Sequence, residues 1–283
     1  MQQTIAAIKD RLAAIYAPAE INLISEMIFE SVSGMNRVQF LLNKNVILSE
    51  SIRHEVDLIL NRLSKHEPIQ YILGKTDFYG LTFGVNKNVL IPRAETSEII
   101  EHILSEKTSF PEQCRCLDIG TGSGCIPIVL KKNCPLWQIS AIDISSDALK
   151  VAQENAIRNE VVINFREADI LNHQALHFVQ KFDLIISNPP YICEEEKSEM
   201  EANVLDYEPH QALFVPNDNP LLFYRSIAEF ATRNLTRGGK LIFEINPKFA
   251  SELCQLLEEK RFSHICVLKD ISEKKRFVIG KMQ

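Results

Sequence analysis

Apolar residues over the first 75 positions recur at intervals of three and four, the period of a helix with one buried face. Ile5, Ile8, Leu12 and Ile15 make one stripe, closed by Pro18, and Ile21, Ile24, Ile28 and Val32 make a second that stops at Gly34. Ser49 stands where it can cap a third stretch, which carries Ile52, Val56, Ile59 and Leu63 and ends before Pro68. Residues 1–75 are therefore expected to form a small helical domain whose stripes are core. From position 78 the pattern turns β-rich. Residues 78–85 read as one strand, Asn86-Lys87-Asn88 as a turn and 89–91 as the partner strand, a β-hairpin linker over 76–92.

Beyond Pro92, β-branched apolar runs alternate with amphipathic stretches. Strands are expected at 115–119, 139–143, 162–166, 182–187, 239–245, 264–269 and 276–280, with helices at 96–106, 125–132, 146–158, 221–235 and 248–260. This alternation predicts an α/β domain over 93–283, a largely parallel sheet covered on both faces and finished by an antiparallel hairpin.

Composition narrows the class. A chain of 283 residues has room for two domains, and 46% hydrophobic with 24% charged residues is ordinary globular usage. No apolar run approaches the ~18 residues of a membrane span. The first residues lack the basic region and apolar core of a secretion signal, so a cytoplasmic location is expected. The seven cysteines form no C-x-x-C pair and are expected to be reduced, buried thiols rather than disulfides or metal ligands. A net charge of −6 without a dense Lys/Arg tract weighs against nucleic acid as the direct substrate.

The chemistry gathers where predicted strands end. The first runs into Asp118-Ile119-Gly120-Thr121-Gly122-Ser123-Gly124 just before a helix, a loop whose glycines let backbone turn sharply and approach a ligand. Cys125 occupies the place of the third glycine of a dinucleotide loop, and no P-loop lysine follows. Asp118 would repel a pyrophosphate but attract a cationic amino-acid nucleoside. Asp143, ending the second strand, can accept from ribose hydroxyls, and Asp169, after the third, from an adenine amino group with Ile170 on the ring. Taken singly, the alternative reading of either acid is a helix N-cap or loop acid. The fourth strand ends in Asn188-Pro189-Pro190-Tyr191. Two prolines cannot continue a sheet, so this is a stiff turn carrying an amide, free carbonyls and a ring. Alone it could be structural. In this order, the glycine loop, the two acids and the turn fit S-adenosylmethionine beside a grip for a flat amide or amino group.

These motifs resemble those of the HemK-type protein-(glutamine-N5) methyltransferases, which modify peptide chain release factors. The resemblance runs over nearly the full length through His66-Glu67-Pro68-Ile69-Gln70-Tyr71-Ile72-Leu73-Gly74, Leu90-Ile91-Pro92-Arg93-Ala94-Glu95-Thr96, the glycine loop, the Asn188 turn and Tyr207-Glu208-Pro209-His210-Gln211-Ala212-Leu213. It departs at Ala94 and Ser97, where the family usually has proline and an acid, at Asp218-Asn219-Pro220-Leu221, and at Asn246 after Glu244-Ile245. The resemblance implies a class I S-adenosylmethionine-dependent methyltransferase with a Rossmann-like seven-stranded sheet and a helical N-terminal domain that recognises substrate. The implied substrate is the glutamine of the Gly-Gly-Gln loop in class 1 release factors, and a monomer is expected.

On this basis Asn188, through its side-chain oxygen, and Pro189, through its carbonyl, are expected to accept the two hydrogens of the acceptor amide, with Asn188 also beside the methyl donor. Pro190 stiffens the turn, and Tyr191 stacks on the amide or walls its pocket. Arg93 and Glu95 either shape the acceptor pocket or form an ion pair that braces the hairpin. The acid-rich segment 192–219 either covers the acceptor or is a solvated loop. Rival readings are a glutamine methyltransferase acting on a ribosomal protein, an adenine-N6 methyltransferase acting on nucleic acid, and a non-catalytic S-adenosylmethionine-binding scaffold.

Overall fold

The computed structural model describes residues 1–43 and 45–283. They fall into two compact units, Met1–Lys75 with Glu201–Tyr207, and Thr76–Met200 with Glu208–Gln283.

The first unit holds α1 (Gln2–Leu12), α2 (Pro18–Ser33), α3 (Arg37–Leu42), α4 (Glu50–Leu63) and α5 (Ile69–Leu73). The apolar stripes supply one buried cluster that includes Ile8, Leu12, Ile24, Ile28, Val56 and Leu63. Pro18 opens α2 at its first turn, where a missing N–H costs nothing, and Gly34 ends it in the left-handed region at φ 67. The Ser49 hydroxyl accepts from the Ile52 N–H at 3.3 Å and caps α4. The stripes did not foretell α3, which begins at a reciprocal capping box between Asn36 and Gln39. The segment Glu201–Tyr207 joins this unit, and the Tyr207 hydroxyl donates to the Lys65 carbonyl at 2.7 Å.

The second unit opens with a hairpin, but not the expected one. β1 (Lys75–Phe78) and β2 (Leu81–Gly84) turn through Tyr79 and Gly80, both at positive φ (50 and 73) as a two-residue primed turn requires. Gly80 therefore breaks what reads in sequence as one strand, and residues 89–91 do not form a strand. The Val89 N–H instead bonds the Asn86 carbonyl in a turn, and the Ile91 N–H goes to the Glu208 carboxylate.

Then follow α6 (Ala94–Ser105), β3 (Arg115–Ile119), α7 (Cys125–Asn133), β4 (Gln138–Asp143), α8 (Ser146–Arg158), β5 (Asn164–Glu167) and β6 (Phe182–Ser187). After these come β7 (Ile192–Cys193), α9 (Ala202–Leu205) within the first unit, β8 (Phe214–Val215), α10 (Leu222–Asn234), β9 (Leu235–Glu244), α11 (Ala250–Glu259), β10 (Phe262–Lys269) and β11 (Lys275–Met282). Seven strands form one sheet in the order β10-β11-β9-β6-β3-β4-β5. It is parallel from β9 to β5, and β11 runs antiparallel to both its neighbours.

All six residues of β6 are buried, as a continuous apolar run between two helical layers should be. Along β3 the pleat sends Cys116 into one apolar cluster and Leu117 and Ile119 into the other, so a core lies on each face of the sheet. β3 pairs with β4 on one side and β6 on the other. Connections diverge at such a point and leave a crevice at the carboxyl ends of the strands. No helix among the described residues is long and apolar enough to cross a membrane.

Candidate active site

A cavity of about 380 Å³ opens at that crevice, entirely within the second unit. Its wall includes Gly120, Thr121, Gly122 and Ser123 from the loop after β3, Asp143 from the end of β4, and Asp169 and Ile170 from the stretch after β5. Asn188, Pro189 and Pro190 from the end of β6 complete it, with Arg93 and Thr96 from the start of α6. Residues scattered over a hundred positions thus meet because each follows the carboxyl end of a strand or opens a helix.

The loop is held by the next strand. The N–H groups of Gly120 and Thr121 both donate to the Ile142 carbonyl, at 2.9 and 3.1 Å, and the Gly122 N–H donates to Asp143 Oδ2 at 2.9 Å. Gly120 and Gly122 lie at φ 74 and 53, and a Cβ added at either would meet no protein atom. Their requirement is conformational, and the space before them belongs to the cavity. Gly124 differs: it does not line the cavity, and its Cβ would fall 3.1 Å from both Ala152 and Ile128, so it permits α7 to pack on α8. It was expected to touch the cofactor, and the structure sets it against Ala152 and Ile128 rather than on the cavity wall.

Asp143 is half-buried. Its Oδ1 accepts from the Ser145 N–H at 2.9 Å and Oδ2 from Gly122, and the Ile144 N–H adds a third backbone donor. Burial raises its pKa, and these backbone donors pull it back. Asp169 accepts from the Leu171 N–H at 2.8 Å through Oδ1, the N-cap geometry of the short 3-10 turn after it, while lining the cavity. Capping and ligand binding are compatible roles for it, since the second oxygen stays free of that bond.

Asp118, near the end of β3, is fully buried and does not itself line the cavity. Neither of its oxygens, nor the Thr121 hydroxyl, has a hydrogen-bond partner among the described residues. Burial pushes its pKa up to about 7, offset in part by the adjacent Thr121 hydroxyl and reinforced by the Asp143 charge. Buried polar groups left unpaired are costly. A donor brought through the cavity beside Thr121 would relieve this one.

At the turn, the Ser187 hydroxyl donates to the Ile119 carbonyl at 2.6 Å and ties the end of β6 to β3. Tyr191 departs from expectation: it does not line the cavity, because its ring packs into the sheet core and its hydroxyl donates to Glu244 Oε1 at 3.4 Å. Burial raises the pKa of that phenol, and the Glu244 charge adds to the effect. Arg93 forms an ion pair with Glu208, whose other oxygen accepts from the Ile91 N–H at 3.2 Å. Arg93 is thus held in an ion pair and also faces the cavity, and that pair ties Glu208 to the segment before α6 rather than to the β1–β2 hairpin. Glu95 does not line the cavity.

Sequence reasoning missed Thr96 and passed over Glu244, both 3% exposed. The Thr96 hydroxyl donates to Glu244 Oε2 at 2.7 Å. Burial pushes the Glu244 pKa up to about 7, against the lowering effects of Thr96, Arg276 and Tyr191 and with the help of Glu95. An acid at the end of a buried strand was the available signal.

Residues 3–74 match the family model described as PrmC N-terminal domain, and residues 95–207 match the Methyltransferase small domain. The chain is 46% identical over 269 residues to a release factor glutamine methyltransferase of Flavobacterium psychrophilum, covering 94% of each. It is 42% identical over 278 residues to another from Bacteroides thetaiotaomicron, covering 98% of this chain and 99% of that one. A bifunctional methyltransferase of Rickettsia bellii is 38% identical over 250 residues, 79% of this chain and 44% of that protein. A solved methyltransferase from Pyrococcus furiosus shares the fold at a TM-score of 0.50 and 17% identity, over 72% of this chain and 90% of that one.

Proposed function

The chain belongs to the family of release factor glutamine methyltransferases, and on that premise we propose that it methylates N5 of the glutamine in the Gly-Gly-Gln loop of class 1 release factors. The methyl donor is S-adenosyl-L-methionine, and the enzyme works as a monomer in the cytoplasm. One observation carries the reading. The glycine loop, Asp143 and Asp169 share a single cavity with the Asn188 turn, so a nucleoside donor and an amide acceptor can meet there.

The residues present fit the donor. Asp118 and Thr121 are buried groups in need of hydrogen-bond partners, which suits an amino-acid ammonium. Asp143 lines the cavity with a carboxylate suited to a ribose diol, and Asp169 with Ile170 offers an acceptor and an apolar face to adenine. When bound, S-adenosylmethionine supplies a methyl carbon already activated by a sulfonium.

The difficult partner is the acceptor, because an amide nitrogen shares its lone pair with its own carbonyl. The Asn188 side-chain oxygen and the Pro189 carbonyl accept the two amide hydrogens, which holds the nitrogen in place and favours the positive charge it develops. Pro189 and Pro190 fix backbone φ, so the two acceptors are already oriented before the acceptor arrives. Tyr191 acts from behind the turn, anchored on Glu244. No general base is required when the proton leaves after transfer. His210 lies exposed against Phe214, its ring edge-on at 5.2 Å.

Replacing Asn188 with alanine tests this arrangement. Asn188→Ala is expected to lower turnover on release factor by at least about a hundredfold, while S-adenosylmethionine affinity, measured by calorimetry, changes far less. Near-normal turnover in that variant would sink the proposed roles.

A further inference from the structure

Behind the Asn188 turn runs a chain of hydrogen bonds that crosses three elements. Glu244 closes β9, and Oε1 and Oε2 accept from the Tyr191 and Thr96 hydroxyls at 3.4 and 2.7 Å. Its backbone carbonyl accepts from the buried Tyr224 hydroxyl at 3.1 Å, which holds the end of the strand. Thr96, in the first turn of α6, in turn accepts from Asn188 Nδ2 at 3.5 Å, the long end of hydrogen-bonding range.

The direction of these bonds carries chemical information. An ionised carboxylate only accepts, and a threonine hydroxyl has one hydrogen to give. When Glu244 is ionised, above its pKa of about 7, it takes that hydrogen, so Thr96 can then only accept from Asn188. Asn188 must therefore meet Thr96 with its NH2 end, which turns its oxygen away from Thr96. The two ends of an amide are nearly the same shape, so packing alone does not choose between them. The wrong end would set N–H donors of Asn188 against the N–H donors of an acceptor amide.

We propose that Thr96 and Glu244 are positioning residues that lock the Asn188 side chain with its oxygen toward the acceptor nitrogen. The inference rests on the assignment of glutamine as acceptor, and it adds the device that gives the site its polarity. A site with the amide reversed would hold a hydrogen-bond acceptor better than a donor. The Thr96–Glu244 pair thus makes the turn selective for NH-bearing groups.

The test compares wild type, Thr96→Val and Thr96→Ser on full-length release factor with labelled S-adenosylmethionine. Calorimetric cofactor binding and thermal denaturation are measured on the same proteins. Valine keeps the shape and removes the hydroxyl, whereas serine keeps the hydroxyl. Thr96→Val is expected to lower kcat about tenfold, the scale of one lost oriented hydrogen bond, with cofactor affinity held within about twofold. Thr96→Ser should regain most of that loss. If the valine protein does not fold, Thr96→Ala provides the same comparison against serine.

A kcat for Thr96→Val equal to wild type overturns the proposal. So does a serine variant as slow as the valine one, because a role in packing alone would follow shape and stability rather than the hydroxyl. A wild-type protein that leaves the release factor unmodified fails before any substitution is made. That outcome overturns the glutamine assignment, and this proposal with it, and is thereby told apart from a failure of Thr96 alone.

Discussion

Asp118 shows how one residue links burial to ligand chemistry. A carboxyl ordinarily titrating near 3.8 is pushed up to about 7 by burial, so the folded protein favours its protonated form. Stability from this group is fully present below the unfolded pKa and is lost as pH rises toward about 7. A cationic ammonium beside it favours the ionised form instead. S-adenosylmethionine binding should therefore tighten as pH rises toward about 7 and level off above it. Near pH 6, calorimetry in buffers of different ionisation enthalpy should record release of about one proton per ligand. Asp118→Asn should remove that release and flatten the pH dependence. An unchanged proton release in Asp118→Asn would show that another group titrates, and Glu244 is the obvious one because burial holds it in the same range.

At the scale of elements, the decisive pieces are short. The stretch 208–215 is pinned at both ends: Glu208 is tied to Arg93 and the Ile91 N–H, and β8 pairs with β7 while the Leu213 carbonyl accepts from Tyr191 and Ile192. Between these ties it lays Pro209, Gln211 and Ala212 along the cavity wall. Glu208→Ala leaves the Arg93 charge and the Ile91 N–H unpaired. It should lower stability by about 2 kcal/mol, read as a lower urea midpoint with an unchanged slope. It should also raise the KM for release factor. An unchanged midpoint would contradict the bracing role.

The same elements show what the sequence could and could not reveal. Long periodic stretches such as α4 and the all-buried β6 announce themselves, since each depends on a local repeat. The hairpin was displaced because Gly80 can occupy a strand or a positive-φ turn, and only pairing decides which. Strands of two residues, as in β7 and β8, carry no periodicity to read.

Over the whole molecule, the legible part of the site was what lies at strand ends: Asp118, the glycine loop, Asp143, Asp169 and Asn188. The rest depends on contacts between distant positions. Thr96 and Glu244 are 148 residues apart in sequence and Arg93 and Glu208 are 115 apart, so no local pattern marks either pair. Gly124 and Tyr191 stand inside recognisable motifs, yet one serves the packing of α7 on α8 and the other turns its hydroxyl to Glu244. A motif names residue types, and only the fold assigns each side chain a direction.

The central claim joins a nucleoside donor and a protein glutamine in one cavity. The most direct measurement incubates the protein with isotopically labelled S-adenosylmethionine and, in separate reactions, a class 1 release factor, ribosomal protein and DNA, and then maps the label by peptide mass spectrometry. The account predicts label on the release factor alone, on the side chain of the glutamine in its Gly-Gly-Gln loop. Label on ribosomal protein or DNA with none on that glutamine would contradict it.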